Sequence, residues 1–285
     1  MRSSLIGFAV ALVLAGVLTP VVRRIAIHYG AVDSPGERRV NVRKIPRLGG
    51  LAVFVAFFLP LGTLFALDSQ VASVLFSNPL RAVGLLAGAA IVTTLGAWDD
   101  LRGVRAWHKL GIQTVAAIVA FACDFRIDAI ALPGLGNLQM GIFALPVTVL
   151  WIVAIINALN LIDGLDGLAG GVAFFVCVTN FVVASLHGSS LVMLTAACLA
   201  GALLGFLWYN FNPASIFMGD SGSMFLGFIL ATMSMLGASV KSSTTVAMLV
   251  PLVALGLPIM DTLLAMVRRW LERRPIFSPD KGHIH

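Results

Sequence analysis

Apolar runs and short polar stretches alternate along the whole chain. The runs cover residues 5–22, 48–67, 82–97, 110–123, 144–161, 168–186, 191–209, 223–238 and 245–267. A helix needs about 20 apolar residues to cross a bilayer, and several runs approach that length. The pattern therefore predicts an all-α, polytopic transmembrane bundle of about nine helices, forming a single integral membrane domain over residues 1–285. The runs at 82–97 and 110–123 are short, and the polar Lys109 and Gln113 beside them suggest helix ends lined by protein or water.

The first run is too long for the apolar core of a signal peptide, and its basic pair, Arg23 and Arg24, follows it. It reads as an uncleaved helix with an external N-terminus. Composition agrees, with 59% hydrophobic and 11% charged residues and a mean hydropathy of +0.98. Cys123, Cys177 and Cys198 lie within apolar runs without metal-ligand spacing, so they read as small packing residues.

Charge gives the orientation. Lys and Arg gather on the cytoplasmic side of membrane proteins. The loop after the first run holds Arg23, Arg24, Arg38, Arg39, Arg43, Lys44 and Arg47. That after the third holds Arg102, Arg105 and Lys109, and that after the ninth holds Arg268, Arg269, Arg273, Arg274 and Lys281. The alternate loops hold only Arg2, Arg81, Arg126 and Lys241. The basic residues are scattered among juxtamembrane loops with no recognition module, which argues against nucleic acid as a partner. A basic cytoplasmic face instead suits the lipid bilayer and anionic substrates.

The same alternation puts WDDLRG (98–103), NLIDGLDG (160–167), NFNPASIFMGDSGS (210–223) and SPDKGHIH (278–285) on that one face. Carboxylates at membrane depth are costly, so Asp99, Asp100, Asp163, Asp166, Asp220 and Asp261 are functional candidates. The adjacent Asp99 and Asp100 can bind a cation with one carboxylate and keep the other as a base; the plainer reading is a helix cap. Asn157, Asn160, Asp163 and Asp166 recur every three residues, a stripe near one face of a helix end, and glycines then break the helix. Asp220 stands ahead of an apolar run, where it can act as an N-cap, and where backbone N–H groups attract phosphate and a carboxylate can hold a cation bridging phosphates. His283 and His285 sit in the polar tail of the chain.

Taken together, DSPGERRVNVRKIPRLGG, WDDLRGVRAWHK, NALNLIDGLDGLAGG, NFNPASIFMGDSGS and the terminal HIH resemble the polyprenyl-phosphate N-acetylhexosamine-1-phosphate transferases, relatives of the phospho-MurNAc-pentapeptide transferases. The resemblance runs in order through almost the entire chain. It implies a multi-helix enzyme of the bacterial inner membrane, with cytoplasmic active-site loops and a requirement for Mg²⁺, Mn²⁺ being a substitute. Such an enzyme moves a sugar 1-phosphate from a UDP-HexNAc to polyprenyl (undecaprenyl) phosphate, releases UMP and starts a lipid-linked envelope glycan. It is compatible with a homodimer.

By motif, Asp99 and Asp100 correspond to the catalytic aspartate pair, with Asp100 also supporting the metal, and Asp220 to the Mg²⁺ aspartate. Asn210 and Phe217 correspond to nucleotide contacts, Phe217 as a ring to stack on uracil. Asn160, Asp163 and Asp166 would line the same cleft, and Lys44 and Lys109 would meet phosphates. His283 and His285 fit the H-x-H-H pattern of the GlcNAc-type branch, which favours a UDP-GlcNAc donor. The chain has Asn41 where many members carry histidine, and members continue past the position of His285 with a third histidine and one or two more helices. Two other classes fit less well. A CDP-alcohol phosphotransferase requires D-G-x-x-A-R, and DGLDGLAGG has no Arg; a secondary transporter would place its carboxylates near the bilayer midplane.

Overall fold

The computed structural model describes residues 1–33, 44–67, 78–132 and 136–238. The ninth apolar run, Asn41, Asp261, His283 and His285 lie outside them. Among the described residues there are eight α-helices: α1 (Arg2–His28), α2 (Gly49–Leu67), α3 (Pro79–Arg102), α4 (Ala106–Ala122), α5 (Ala144–Ile162), α6 (Leu168–His187), α7 (Ser190–Asn210) and α8 (Gly219–Ala238). Each falls on one of the first eight apolar runs. Six helices are long and apolar enough to cross a membrane, and α4 is a shorter apolar helix. The outer surface is greasy: Leu5, Val13 and Val17 on α1, Leu150 on α5 and Leu186 on α6 are all more than half exposed. Such a surface is stable against lipid rather than water, so this is a multi-pass membrane protein.

The third run extends beyond its apolar length. It appears as residues 82–97 in hydropathy, whereas α3 continues through Asp99 and Asp100 to Arg102. Apolar length measures depth in lipid, while helicity needs only internal backbone bonds, so a polar last turn stays helical. Two short antiparallel pairs escape a reading based on apolar runs. β1 (Val32–Asp33) pairs with β2 (Ile45–Pro46), and β3 (Ala129–Leu132) pairs with β4 (Gly136–Gln139). Arg47 forms an ion pair with Asp33, tying the first of these together.

The helix that organises the bundle is α8. Every residue from Ser221 to Leu236 is buried, and α2, α3 and α5 pack around it. A helix apolar on all sides needs an apolar surround, which the neighbouring helices supply here in place of lipid. α7 forms a second axis, packed by α1, α2 and α6. The start of α8 is drawn close to its neighbours because two of them present glycine there. A Cβ at Gly50 of α2 would run into the backbone of Ser221 and Gly222, and one at Gly96 of α3 into the Asp220 carbonyl and the Ser221 nitrogen. Main-chain bonds complete the contact, since Phe217 N–H donates to Pro46 O (2.8 Å), Gly49 N–H to Phe217 O (3.0 Å) and Gly50 N–H to Met218 O (2.8 Å).

Gly96→Ala should therefore cost about 1–3 kcal/mol of stability through overpacking. A thermal melt in detergent checks this: the expected result is a lower Tm than for Gly111→Ala, where a Cβ meets nothing within 4 Å.

Candidate active site

Helix ends of α3, α4, α5 and α8 meet at one end of the bundle. On the last turn of α3 the two aspartates point to different partners. Asp99 Oδ1 accepts the Val104 N–H (2.6 Å), which fixes the turn into α4, and Asp99 Oδ2 accepts from Lys109 Nζ (2.6 Å). Asp100 is turned toward α8, where Oδ1 accepts the Asp220 N–H (2.9 Å) and Oδ2 the Ser221 N–H (3.1 Å). Lys109, on the first turn of α4, also donates to Asp220 Oδ2 (2.6 Å). One ammonium thus bridges carboxylates from two helices more than a hundred residues apart in sequence.

The stripe on α5 divides between helix and turn. Asn157 and Asn160 lie on the helix, whereas Asp163 is its C-cap residue and Asp166 follows in the turn. Asn160 Nδ2 donates to Ser223 Oγ (2.9 Å) and its amide also faces Asp220. Asn157 Nδ2 donates to Gln113 Oε1 (2.7 Å), one helical turn deeper on α5 and α4. The Asp163 carboxyl is pushed well above the usual carboxylate range. Burial is the chief cause, followed by the negative charges of Asp100 and Asp220, and the Gly219 N–H opposes them.

Asp166 serves the connection between α7 and α8. Its Oδ2 accepts from Asn212 Nδ2 (3.2 Å) and from Ala214 N–H (3.0 Å). Asn210 is buried and donates to Ile216 O (3.0 Å), so it shapes the same loop from inside. Phe217 is half-buried, its main chain held by Pro46 and Gly49. Lys44 is exposed one residue before β2, and no hydrogen bond or ion pair joins it to the cluster. The structure thus brings Asp99, Asp100, Lys109, Asn160, Asp163 and Asp220 together, with Asp166, Asn210 and Phe217 in the adjoining loop.

Sequence reading did not find the partners that hold these groups. Ser223 was visible only as part of GDSGS, and Gly49–Gly50 and Gly96 carried no sign that α8 would press against them. Glycines bordering or interrupting an apolar run were the available signal.

The cluster's charge bears on cation binding. Four carboxylates, Asp99, Asp100, Asp163 and Asp220, gather about the start of α8 with one ammonium, which pairs with Asp99 and Asp220, and no cation faces Asp163 among the described residues. Among those residues no three carboxylate, imidazole or thiolate side chains are grouped as a metal site. Lys109 takes the place of a cation between Asp99 and Asp220. Oxygen donors in negative excess are the chemistry that Mg²⁺ prefers, so the residues present fit that ion. Asp99, Asp163 and Asp220 each keep an oxygen free of backbone N–H groups, whereas both Asp100 oxygens accept one.

Comparison with known proteins identifies the family. Residues 82–238, which carry α3 to α8 and the whole cluster, match glycosyl transferase family 4. Over 281 residues the chain is 41% identical to a probable undecaprenyl-phosphate N-acetylglucosaminyl 1-phosphate transferase of Bacillus subtilis, covering 98% of this chain and 75% of the relative. It is 36% identical over 303 residues to a decaprenyl-phosphate N-acetylglucosaminephosphotransferase of Mycobacterium tuberculosis, covering 99% and 74%. A phospho-N-acetylmuramoyl-pentapeptide-transferase of Heliobacterium modesticaldum is 31% identical over 237 residues, covering 81% and 73%. With the family match spanning the residues that build the cluster, and identity sustained over nearly the full length, this chain belongs to glycosyl transferase family 4.

Proposed function

We propose that this protein transfers N-acetylglucosamine 1-phosphate from UDP-GlcNAc to a polyprenyl phosphate such as undecaprenyl phosphate, releasing UMP at the cytoplasmic face of a bacterial plasma membrane. The observation that carries this reading is the convergence of Asp99, Lys109, Asn160, Asp163 and Asp220 at one end of an apolar bundle. The names of the B. subtilis and M. tuberculosis relatives support both the sugar phosphate and the lipid acceptor. The exposed Trp98, Trp107 and Trp208 at this end support a site at the bilayer interface. There a lipid phosphate enters sideways and a nucleotide arrives from water.

The chemistry follows from the cluster. An oxygen of the lipid phosphate forms a bond to the sugar-bearing phosphorus of the donor, and the bond to the bridging oxygen breaks, with its electron pair leaving on UMP. Asp99 takes the proton of the lipid phosphate, and Lys109 offsets charge on the phosphate oxygens. Asp220 would hold Mg²⁺, which would supply the neutralisation of pyrophosphate charge that such transfers require. Asn160 holds the Asp220 side of the site through Ser223. Asn210 and Asp166 fix the loop that presents Phe217 to the uracil. Lys44 supplies positive charge toward the outer phosphates.

The test is UMP release by detergent-purified protein given undecaprenyl phosphate and a panel of UDP-sugars. The expected result is Mg²⁺-dependent release, fastest with UDP-GlcNAc, stopped by EDTA and reduced about 10²–10⁴-fold by Asp99→Asn, the range for loss of a general base. Release that persists undiminished in Asp99→Asn, or that needs no lipid acceptor, overturns the reading.

Asp163 adds a pH signature. Its folded carboxyl binds a proton more tightly than the unfolded one, whose pKa is about 3.9. Stability is therefore lost as pH rises from that value toward the raised folded one. Asp163→Asn removes this loss. With divalent cations chelated, the Tm of the variant minus that of the parent should grow from pH 4 to neutrality; a constant difference contradicts the assignment.

A further inference from the structure

We infer that Asp100 is a positioning residue that caps α8 from a neighbouring helix and thereby fixes where Asp220 stands. The inference rests on the transferase reading and divides the labour of the aspartate pair. A group that abstracts a proton or ligates a cation must turn an open lone pair toward the site. Asp100 is only 8% exposed, and each of its oxygens accepts one of two consecutive backbone N–H groups of α8, which aims the carboxylate at main chain rather than at the open site. The first N–H groups of a helix have no internal partner and are ordinarily satisfied by a side chain just ahead of them. Here the residue just before these two N–H groups is Gly219, the first of α8, which has no side chain, and the acceptor comes from α3, 120 residues away in sequence.

Two further features show that the arrangement is built. Gly219 has φ +73°, the left-handed turn that admits glycine readily, and a Cβ at this position would collide with the Asp100 carboxylate. One turn earlier on the same face of α3, Gly96 leaves the space occupied by the Asp220 main chain. Gly96 and Asp100 thus form a gap and a clamp for one segment of backbone. The Asp220 side chain, released from capping, points to Lys109 and Asn160 instead. Asp99, whose Oδ2 meets the movable Lys109 ammonium beside the Asp220 carboxylate and no backbone N–H, is the member of the pair left to touch substrate.

The test has two arms. In the first, hydrogen–deuterium exchange is followed in peptides covering 215–225 of the purified protein without substrate. Asp100→Ala should speed exchange there about tenfold or more, as expected when charge-assisted bonds are lost, and Asp99→Ala should leave it unchanged. Asp100→Asn, which keeps one acceptor oxygen, should fall between, and it serves where the alanine variant does not fold. In the second arm, UMP release is measured against Mg²⁺ concentration and pH. Asp100→Asn should raise the Mg²⁺ needed for half-maximal rate about tenfold, recover most of kcat at high Mg²⁺ and keep the acidic limb of the pH profile, whereas Asp99→Asn recovers nothing. Parent-like exchange in both Asp100 variants overturns the clamp. So does an Asp100→Asn enzyme that stays inactive at every Mg²⁺ concentration, because that outcome makes Asp100 a reacting group. A parent protein that releases no UMP sinks the transferase reading, and the exchange arm still decides the clamp.

Discussion

The Lys109 ammonium lies 2.6 Å from an oxygen of Asp99 and 2.6 Å from one of Asp220, at the end of a bundle that exposes many large apolar side chains. Much of the site depends on that contact. A carboxylate taken out of water costs several kcal/mol unless a cation or hydrogen bonds compensate it. Four carboxylates share this place, so the fold must supply donors from several helices at once. Lys109 serves Asp99 and Asp220, two backbone N–H groups of α8 serve Asp100, and the Gly219 N–H serves Asp163. The negative charge still exceeds the positive, and the proposed divalent-ion site rests on that surplus.

These donors reach the cluster because α8 is buried and its first turn is gripped on two sides. Carbonyl oxygens of Phe217 and Met218 meet the N–H groups that begin α2, while the N–H groups that begin α8 meet Asp100. Glycine on both neighbouring helices permits the approach. Packing in the apolar part and hydrogen bonding at its end therefore reinforce each other. A change of one methyl group at Gly96 acts on stability and on the position of Asp220 together.

Much of this was legible in the sequence. Apolar length located the eight described helices, and the basic loops placed the polar motifs on one face before any geometry was known. Asp99, Lys109, Asn160, Asp163 and Asp220 do meet. What the sequence withheld was direction. Adjacent residues on a helix point about 100° apart, so the pair Asp99–Asp100 reads as one unit in a motif and turns to two different sets of partners in space. The three-residue spacing from Asn157 to Asp166 suggested one helical face, but α5 ends at Ile162, so Asp166 leaves the stripe and holds the 212–214 loop. A long-range cap also leaves no local signature: GDSGS looked like a self-capped helix start, and its cap comes from α3.

A site of this kind suits a reaction between partners of opposite solubility, because charge is concentrated where lipid and water meet and the bundle behind it stays rigid. The surplus of carboxylate over ammonium is the feature that most needs measurement, and it can be measured without substrate. Detergent-purified protein should gain thermal stability as Mg²⁺ is added, by RT ln(1 + [Mg²⁺]/Kd). The gain should be largely lost in Asp220→Asn and absent with a monovalent salt of equal ionic strength. An identical melting curve with and without Mg²⁺, or an undiminished gain in Asp220→Asn, would contradict a cation site built on this cluster.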